Sequence, residues 1–473
     1  MVNPAQVSPA QVTASLGETK PEVLWLDDPA HPTATEPLAT TLVTDLAVIG
    51  GGYTGLWTAL LAKERDPARE VVLLETGTCG WQASGRNGGF VAASLTHGFA
   101  NGQERWPDEL ATLDRLGAEN LDEIGETIAR WQIDCNWERT GELDVATRPH
   151  EVAGLLEYGE AMRAAGHNVT LLDQQEVRAQ VDSPAYLAGI MDHDGVAMVE
   201  PARLAWGLRR ACLESGVRIY EQSQVLELEN DGRTMVLTTE HGKVLARRVA
   251  LATNAFPPLL ARLKLMTVPV YDYVIATEPL NAEQRASIGW QGRQGIGDSG
   301  NMFHYYRLTH DDRIVWGGYD AVYHYGSKID PDLEHAGSTH RTLATHFFQT
   351  FPQLAGLRFT HKWAGVIDTC TRFAPFWGTA YEGRVAYVQG YTGLGVGATR
   401  FGGQVMLDLL AGEETERTRL KMVKEKPLPF PPEPVRYAGI TMTRWSLDRA
   451  DHNDGKRNLW LRTLDRMGLG FDS

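Results

Sequence analysis

Leu46-Ala47-Val48-Ile49-Gly50-Gly51-Gly52-Tyr53-Thr54-Gly55-Leu56-Trp57-Thr58-Ala59-Leu60-Leu61-Ala62 is the stretch whose reading decides the fold. Its first four residues are a short apolar run, the pattern of a strand buried on both faces of a parallel sheet. The residues from Leu56 to Ala62 continue as a helix, which Asp66-Pro67 ends because proline clashes with the preceding turn. Val71-Val72-Leu73-Leu74-Glu75 reads as the next buried strand. Strand, tight turn, helix and strand make a βαβ unit on a parallel sheet. A Gly-x-Gly-x-x-Gly is weak evidence in a chain with 48 glycines, but here it sits between a strand and a helix. Gly50 permits the tight turn, Gly52 lets a pyrophosphate approach the backbone, and Gly55 lets the helix pack on the strand. The free amides at Tyr53 and Thr54 and the helix dipole then face the phosphates. Glu75, at the end of the second strand, can accept hydrogen bonds from a ribose diol.

That turn fits NAD and FAD alike, and the residues after Glu75 separate them. Cys79-Gly80-Trp81-Gln82-Ala83-Ser84-Gly85-Arg86-Asn87-Gly88-Gly89-Phe90 is glycine-rich and polar where a nicotinamide dehydrogenase would run into its next helix. A chain that follows an extended FAD needs small residues here. Ser84, Arg86 and Asn87 can donate to phosphate or flavin oxygens, and Gly85, Gly88 and Gly89 permit close backbone approach. Val249 to Ala255 is another buried strand ending in the polar pair Thr253-Asn254. Gln389-Gly390-Tyr391-Thr392-Gly393-Leu394-Gly395-Val396-Gly397 leads into a helix over Arg400 to Leu410. This second glycine turn would place amides and a positive dipole end near the flavin pyrimidine ring, stabilising charge at its N1–C2=O edge.

The rest of the chain divides around these motifs. Residues 1–40 read as an N-terminal arm. A discontinuous FAD-binding domain takes 41–96, 196–260 and 361–412, and the substrate domain takes 97–195 and 261–360. Strand patterns over Val268 to Thr277, Asn301 to Leu308 and Arg313 to Tyr319 make that second domain an inserted antiparallel sheet. The expected fold class is therefore α/β, a Rossmann-like FAD-binding domain with an inserted antiparallel-sheet domain. Residues 413–473 are a C-terminal extension with a proline-rich link at 427–434, suited either to subunit association or to packing on the body. The formal charge of −15 excludes a phosphate-backbone partner, which needs clustered Lys and Arg. The four widely spaced cysteines form neither a zinc site nor a redox dithiol and fit a reducing cytoplasm. No signal peptide or spanning helix is readable, so the expectation is a soluble, cytoplasmic protein without bound metal.

In this order the four pieces resemble the D-amino-acid-oxidase-like superfamily of flavoproteins, which includes sarcosine oxidase, glycine oxidase and gamma-glutamylputrescine oxidase. Gly80 to Gly89 is most similar to the last group, and Gly318-Tyr319 to Ile329-Asp330-Pro331-Asp332 resembles the sarcosine-oxidase-like substrate domain. The resemblance implies that Gly50, Gly52, Gly55 and Glu75 hold the ADP half of FAD. It implies that Val225 meets the adenine through its backbone, and that Ser84 to Gly89 and Gly393 to Val396 line the flavin. Relatives often attach the flavin through a substrate-domain cysteine, but none lies between Cys212 and Cys370, so the FAD is expected to be non-covalent. Relatives acting on small amino acids carry a basic clamp for the carboxylate. The matching segment is Asp368-Thr369-Cys370-Thr371-Arg372-Phe373, with Cys370 at the clamp position and Arg372 as its substitute.

The implied reaction is oxidation of an amine C–N bond by hydride transfer to flavin N5, with imine hydrolysis and reoxidation by O2 or another acceptor. His304, Tyr306 and Arg372 are the candidate catalytic residues. Tyr273, Tyr305, Tyr319, Trp363 and Tyr391 are the candidate substrate-lining ones, an aromatic set suited to a cationic or extended amine. Two other readings stay open. One is a flavin dehydrogenase or hydroxylase using another donor or acceptor such as NADPH, and the other is a non-catalytic flavin-binding protein.

Overall fold

The apolar runs around the first glycine turn form the middle of a sheet in the computed structural model, which describes residues 7–469. Thr41–Ile49 pairs in parallel with Val71–Leu74 on one side and with Lys243–Leu251 on the other. Parallel pairing extends to Arg218–Tyr220 and to Val385–Gln389, with Phe376–Ala380 antiparallel beyond. A hairpin of Glu227–Asn230 and Met235–Thr238 adds to Lys243–Leu251. Helices Tyr53–Arg65, Leu110–Arg130, Pro201–Glu214 and Gly395–Ala411 cover one face, packing Leu60, Leu121, Leu208 and Val405 into one core. The hairpin covers the other face with Met235 and Leu237 against Ala47 and Val72. Coverage on both faces is why these strands read as unbroken apolar runs.

The second sheet has nine strands, drawn from Glu142–Asp192 and from Val268–Thr369. Its neighbours are antiparallel, except that Gly295–Asp298 runs parallel to Glu142–Ala146. Helix Thr339–Thr350 closes one face, packing Leu343, Phe347 and Phe348 against Ile275, Tyr306 and Trp316. This is the expected α/β architecture of a parallel nucleotide-type sheet with an inserted, mainly antiparallel one.

Three parts of the chain lie elsewhere than their sequence position implied. Phe359–Thr369 pairs along its length with Val268–Thr277 in the second sheet, so the first unit resumes after Thr369 and not at 361. Helix Leu110–Arg130 belongs to the first core, because Leu113, Leu121 and Ile124 face the helix Gly395–Ala411. Asn120 Nδ2 also donates to the Gly397 carbonyl at 2.9 Å. The N-terminal stretch is a strap across both sheets. Its helix Pro9–Leu16 buries Val12 on the second, while the Thr35 N–H donates to Glu221 beside the first at 2.6 Å.

Glu221 is buried and accepts from Arg209 at 2.8 and 3.0 Å, from the Cys79 N–H and from the Thr35 N–H. Burial raises its pKa, but Arg209 and the two amides outweigh this and hold it below the usual carboxylate value. The resulting stabilisation is present above the ordinary carboxylate range and is lost as pH falls through the lowered pKa. Arg209→Ala leaves a buried carboxylate without its cation and should cost about 3–5 kcal/mol in denaturant unfolding at neutral pH. A cost below about 1 kcal/mol, the worth of an exposed pair, would show that the pair does not hold the strap.

Candidate active site

The residues that end the parallel strands of the first sheet all arrive on one side of it. Gly50 follows Thr41–Ile49, Glu75 follows Val71–Leu74, Ala252 to Asn254 follow Lys243–Leu251, and the Gly390 turn follows Val385–Gln389. At Gly50 φ is +109°, and a Cβ would lie 2.3 Å from the Ala252 carbonyl oxygen. At Gly55 a Cβ would lie 1.8 Å from the Gly50 oxygen. Both close approaches bring the start of helix Tyr53–Arg65 against the strand end, and no side chain of its N-cap residue Gly52 caps it. Ser84 Oγ, from the following loop, accepts the Tyr53 N–H at 2.9 Å. Glu75 accepts the N–H groups of Gly51, Gly77 and Trp81 Nε1 at 2.6–2.8 Å. Burial pushes its pKa up, and those donors oppose the rise.

A cavity of about 820 Å³ opens on this edge, toward the upper end of the usual range for small-molecule sites. Gly50, Gly52, Tyr53, Thr54, Glu75 and Val225 line it from the first unit. Ser84, Arg86, Asn87, Gly88, Thr253 and Asn254 do so too, with Gly393, Leu394, Gly395 and Val396 of the second turn. Helix Gly395–Ala411 begins there without a side-chain cap, and Gly393 has φ +98° with no atom within 4 Å of a Cβ position. Tyr305, Tyr319 and Tyr391 are also on the wall. Gly55, Gly85 and Gly89 stand behind it. A Cβ on Gly85 or Gly89 would lie 2.2 Å from the oxygen of Gly80 or Val199, so these glycines serve backbone packing.

Several expected side chains are turned to other work. Arg86 donates to Glu334 at 2.6 Å and to the Ala364 carbonyl at 3.1 Å. Asn87 Nδ2 donates to the carbonyls of Ala83 and Ser84, closing its own turn. Both side chains line the cavity while holding these partners. Tyr306 is away from the cavity, in the core of the second sheet, its hydroxyl 2.6 Å from that of Tyr186 and its ring stacked on Trp316. Trp363 donates to the Arg86 carbonyl, and Tyr273 to the Leu333 carbonyl, both outside the lining. Arg372 is buried over the Trp106 ring and donates to the carbonyls of Ala374, Glu425 and Met422. His304 is also behind the wall. Its ring nitrogens lie 2.6 Å from Asp298 and 3.0 Å from His346, and its ring stacks on Tyr319. It can position Tyr319 but does not itself line the cavity.

The sequence reading missed the carboxyl groups on the wall. Asp272 lines the cavity and accepts the Tyr305 hydroxyl, and burial raises its pKa to about 6. Glu142 lines it too, and burial, then Asp144 beside it, pushes its pKa well up. Asp368 accepts the Gly390 N–H under the second glycine turn and is raised to about 7, chiefly by burial. Strand alternation gives no sign that Asp272, flanked by Tyr271 and Tyr273, faces a site. Among the described residues no group of His, Cys, Asp and Glu is arranged to hold a metal ion, and no helix is long and apolar enough to cross a membrane.

A protein-family model described as "FAD dependent oxidoreductase" matches residues 45–409. The chain belongs to that family. It is 33% identical over 386 residues to gamma-glutamylputrescine oxidoreductase of Escherichia coli (strain K12), covering 80% of this chain and 86% of the relative. It is 28% identical over 304 residues to the glycine oxidase of Geobacillus kaustophilus (strain HTA426), covering 62% and 78%. Among solved structures, glycine oxidase from Geobacillus kaustophilus shares the fold with a TM-score of 0.66 at 19% identity, over 79% of this chain and 96% of that one. L-proline dehydrogenase from P. horikoshii does so at 0.64 and 18% identity, over 80% and 95%. This chain is therefore an FAD-dependent oxidoreductase. The residues present fit that cofactor, with a Cβ-free cradle at an uncapped helix start, a carboxylate one strand away and a second uncapped helix on the same cavity.

Gly52→Val places a branched side chain where a Cβ already lies 3.0 Å from Ser84 Oγ, inside the cradle. The variant should fold with wild-type far-ultraviolet circular dichroism yet bind FAD at least about tenfold more weakly. Equal affinity in a fluorescence titration would remove the cradle assignment.

Proposed function

We propose that this enzyme oxidises the C–N bond of a cationic amine, with FAD held non-covalently. The observation that carries the reading is the charge on the cavity wall. Asp272 and Glu142 present carboxyl groups, whereas Arg86, Arg436 and Arg444 on the wall are paired with Glu334, Glu433 and Asp320. Among the described residues no lining Lys or Arg lacks a carboxylate partner. The carboxylate of a small amino acid would find no free cation, while an ammonium group beside Asp272 or Glu142 would offset the burial that raises their pKa values. Tyr305 and Tyr319 add ring faces for the same charge. The 33% identity to gamma-glutamylputrescine oxidoreductase supports an amine of the diamine class.

FAD, when bound, supplies the hydride acceptor and returns the electrons to O2 or another acceptor. The chain's own residues position the substrate. Tyr305 donates to Asp272 and fixes the carboxylate, His304 backs the Tyr319 ring, and the amides of the Gly393 turn lie at an uncapped helix start. The four cysteines are buried and none lines the cavity, which supports a non-covalent cofactor. The turn Gly393-x-Gly395-x-Gly397 opens onto the same cavity, so it supplies no separate NADPH site.

Anaerobic mixing with diamines, gamma-glutamyl amines, amino acids and N-methyl amino acids should bleach the flavin with those whose oxidised carbon carries no carboxylate. Bleaching by none of them would end the amine reading. The Asp272 carboxyl is charged above about pH 6 and neutral below it. Accordingly kcat/KM for a diamine should fall as pH drops below about 6. Asp272→Asn should raise KM at least about tenfold, the cost of a buried charge-assisted contact, and remove that limb. An unchanged pH profile in the variant would release Asp272 from substrate binding.

A further inference from the structure

The family match ends at residue 409, yet the chain continues through the proline-rich link to helices Val435–Asp451 and Leu459–Arg466. Ile440, Thr443 and Leu447 recur at helical spacing on the face that lines the cavity, and Trp460 and Leu464 join them one turn apart on the second helix. Trp460 Nε1 donates to Thr443 Oγ1 at 2.9 Å, tying the two helices together at the wall. Phe430 of the link lines the same side.

This extension is tied to the body of the protein by polar contacts, some of them buried. Arg372 holds the carbonyls of Met422 and Glu425, and the Trp106 indole donates to the Glu425 carboxylate at 3.0 Å. The Phe430 N–H donates to the Leu265 carbonyl, and Glu433 accepts from the Tyr323 hydroxyl and the Gly326 N–H. Asp451 is buried and accepts the N–H groups of Asn301 and Met302, while the Tyr319 hydroxyl donates to Asp448 at 2.9 Å. The extension is thus joined directly to Tyr319, a residue of the cavity wall.

We infer that the extension is the outer wall of the substrate site and selects amines by the length of carbon chain beyond the reacting nitrogen. The inference rests on the amine reading above. Its lining side chains are apolar apart from Thr443 and the paired Arg436 and Arg444, so the part of a substrate that lies along them is its methylene chain. Each methylene laid against such a wall should strengthen binding about fourfold. An amine too short to reach the wall would lose that contribution, which sets the preference for long substrates over small amino acids.

N,N,N-trimethylalkylammonium ions carry the charge and the chain but have no N–H to lose, and they test this on the FAD-loaded full chain. Affinities would be read from perturbation of the flavin absorbance for alkyl groups of increasing length. Wild type should tighten about fourfold for each methylene that lies along the wall, and the gain should stop once the chain has filled it. Ile440→Trp should end the gain at a shorter chain, and Trp460→Ala should flatten it. Flavin content and melting temperature would confirm that both variants fold, and the partly exposed Ile440 tolerates replacement more readily than Leu447. The same chain-length dependence in all three proteins overturns the wall and leaves the amine reading standing. No binding of any length by wild type overturns both.

Discussion

Two backbone contacts leave no room for a side chain, and the site follows from them. A Cβ on Gly55 would lie 1.8 Å from the Gly50 oxygen, and one on Gly50 would lie 2.3 Å from the Ala252 oxygen. The helix after the first strand can therefore begin directly at the strand end, with only Ser84 Oγ of the following loop on its first N–H. Parallel pairing then does the rest. Strands that run in one direction finish on one edge, so Glu75, Thr253, Asn254 and the Gly390 turn reach the same edge without any long loop. An anionic cofactor bound there meets two uncapped helix starts, whose partial positive charges reinforce each other because they face a common space.

The second sheet meets this edge through glycine gaps of its own. A Cβ on Gly317 would lie 2.5 Å from the Tyr305 ring, and one on Gly295 would lie 2.2 Å from Phe90. Tyr305 can therefore lie across its own sheet, reach Asp272 with its hydroxyl and touch the loop at Gly88 with its ring edge. Phe90 and Tyr305 meet edge to face at 5.8 Å. This aromatic pair, with the Arg86 bond to the Ala364 carbonyl and the Trp363 bond to the Arg86 carbonyl, ties the loop to the second sheet.

Local constraints were legible in the sequence and facing was not. The turn at Gly50 to Gly55 and the strand Val71–Leu74 after it form where the sequence pattern put them. The aromatic cluster His304-Tyr305-Tyr306 was equally visible, but a strand alternates, and its two faces compete for the cavity. Tyr305 faces it, so His304 and Tyr306 turn to Asp298, His346 and Tyr186 on the other side. Asp272 lines the cavity with Val270 and Tyr271 next to it while Tyr273 lies outside it, so alternation does not single out the carboxylate among its aromatic neighbours. The extension is hard to place from sequence because its apolar residues divide between a cavity and solvent. Ile440 and Leu447 face inward while Met442 and Trp445 are exposed, which blurs the single stripe that a core helix would show.

Arg372 links the extension to the choice of substrate. It stands in the segment where a cation could hold a substrate carboxylate, and burial pulls its pKa down only to about 10, so it remains charged at neutral pH. That charge is directed away from the cavity, onto main-chain oxygens that include those of Met422 and Glu425 in the extension. A guanidinium so engaged lies outside the cavity lining, and turning it inward would strand buried carbonyls that now have partners. The cation that could have favoured a small amino acid is therefore the one that anchors the outer wall. Among the described residues, the guanidinium of that segment is tied to the extension and no unpaired cation lines the cavity, so the proposed preference for an amine and the proposed outer wall depend on the same side chain.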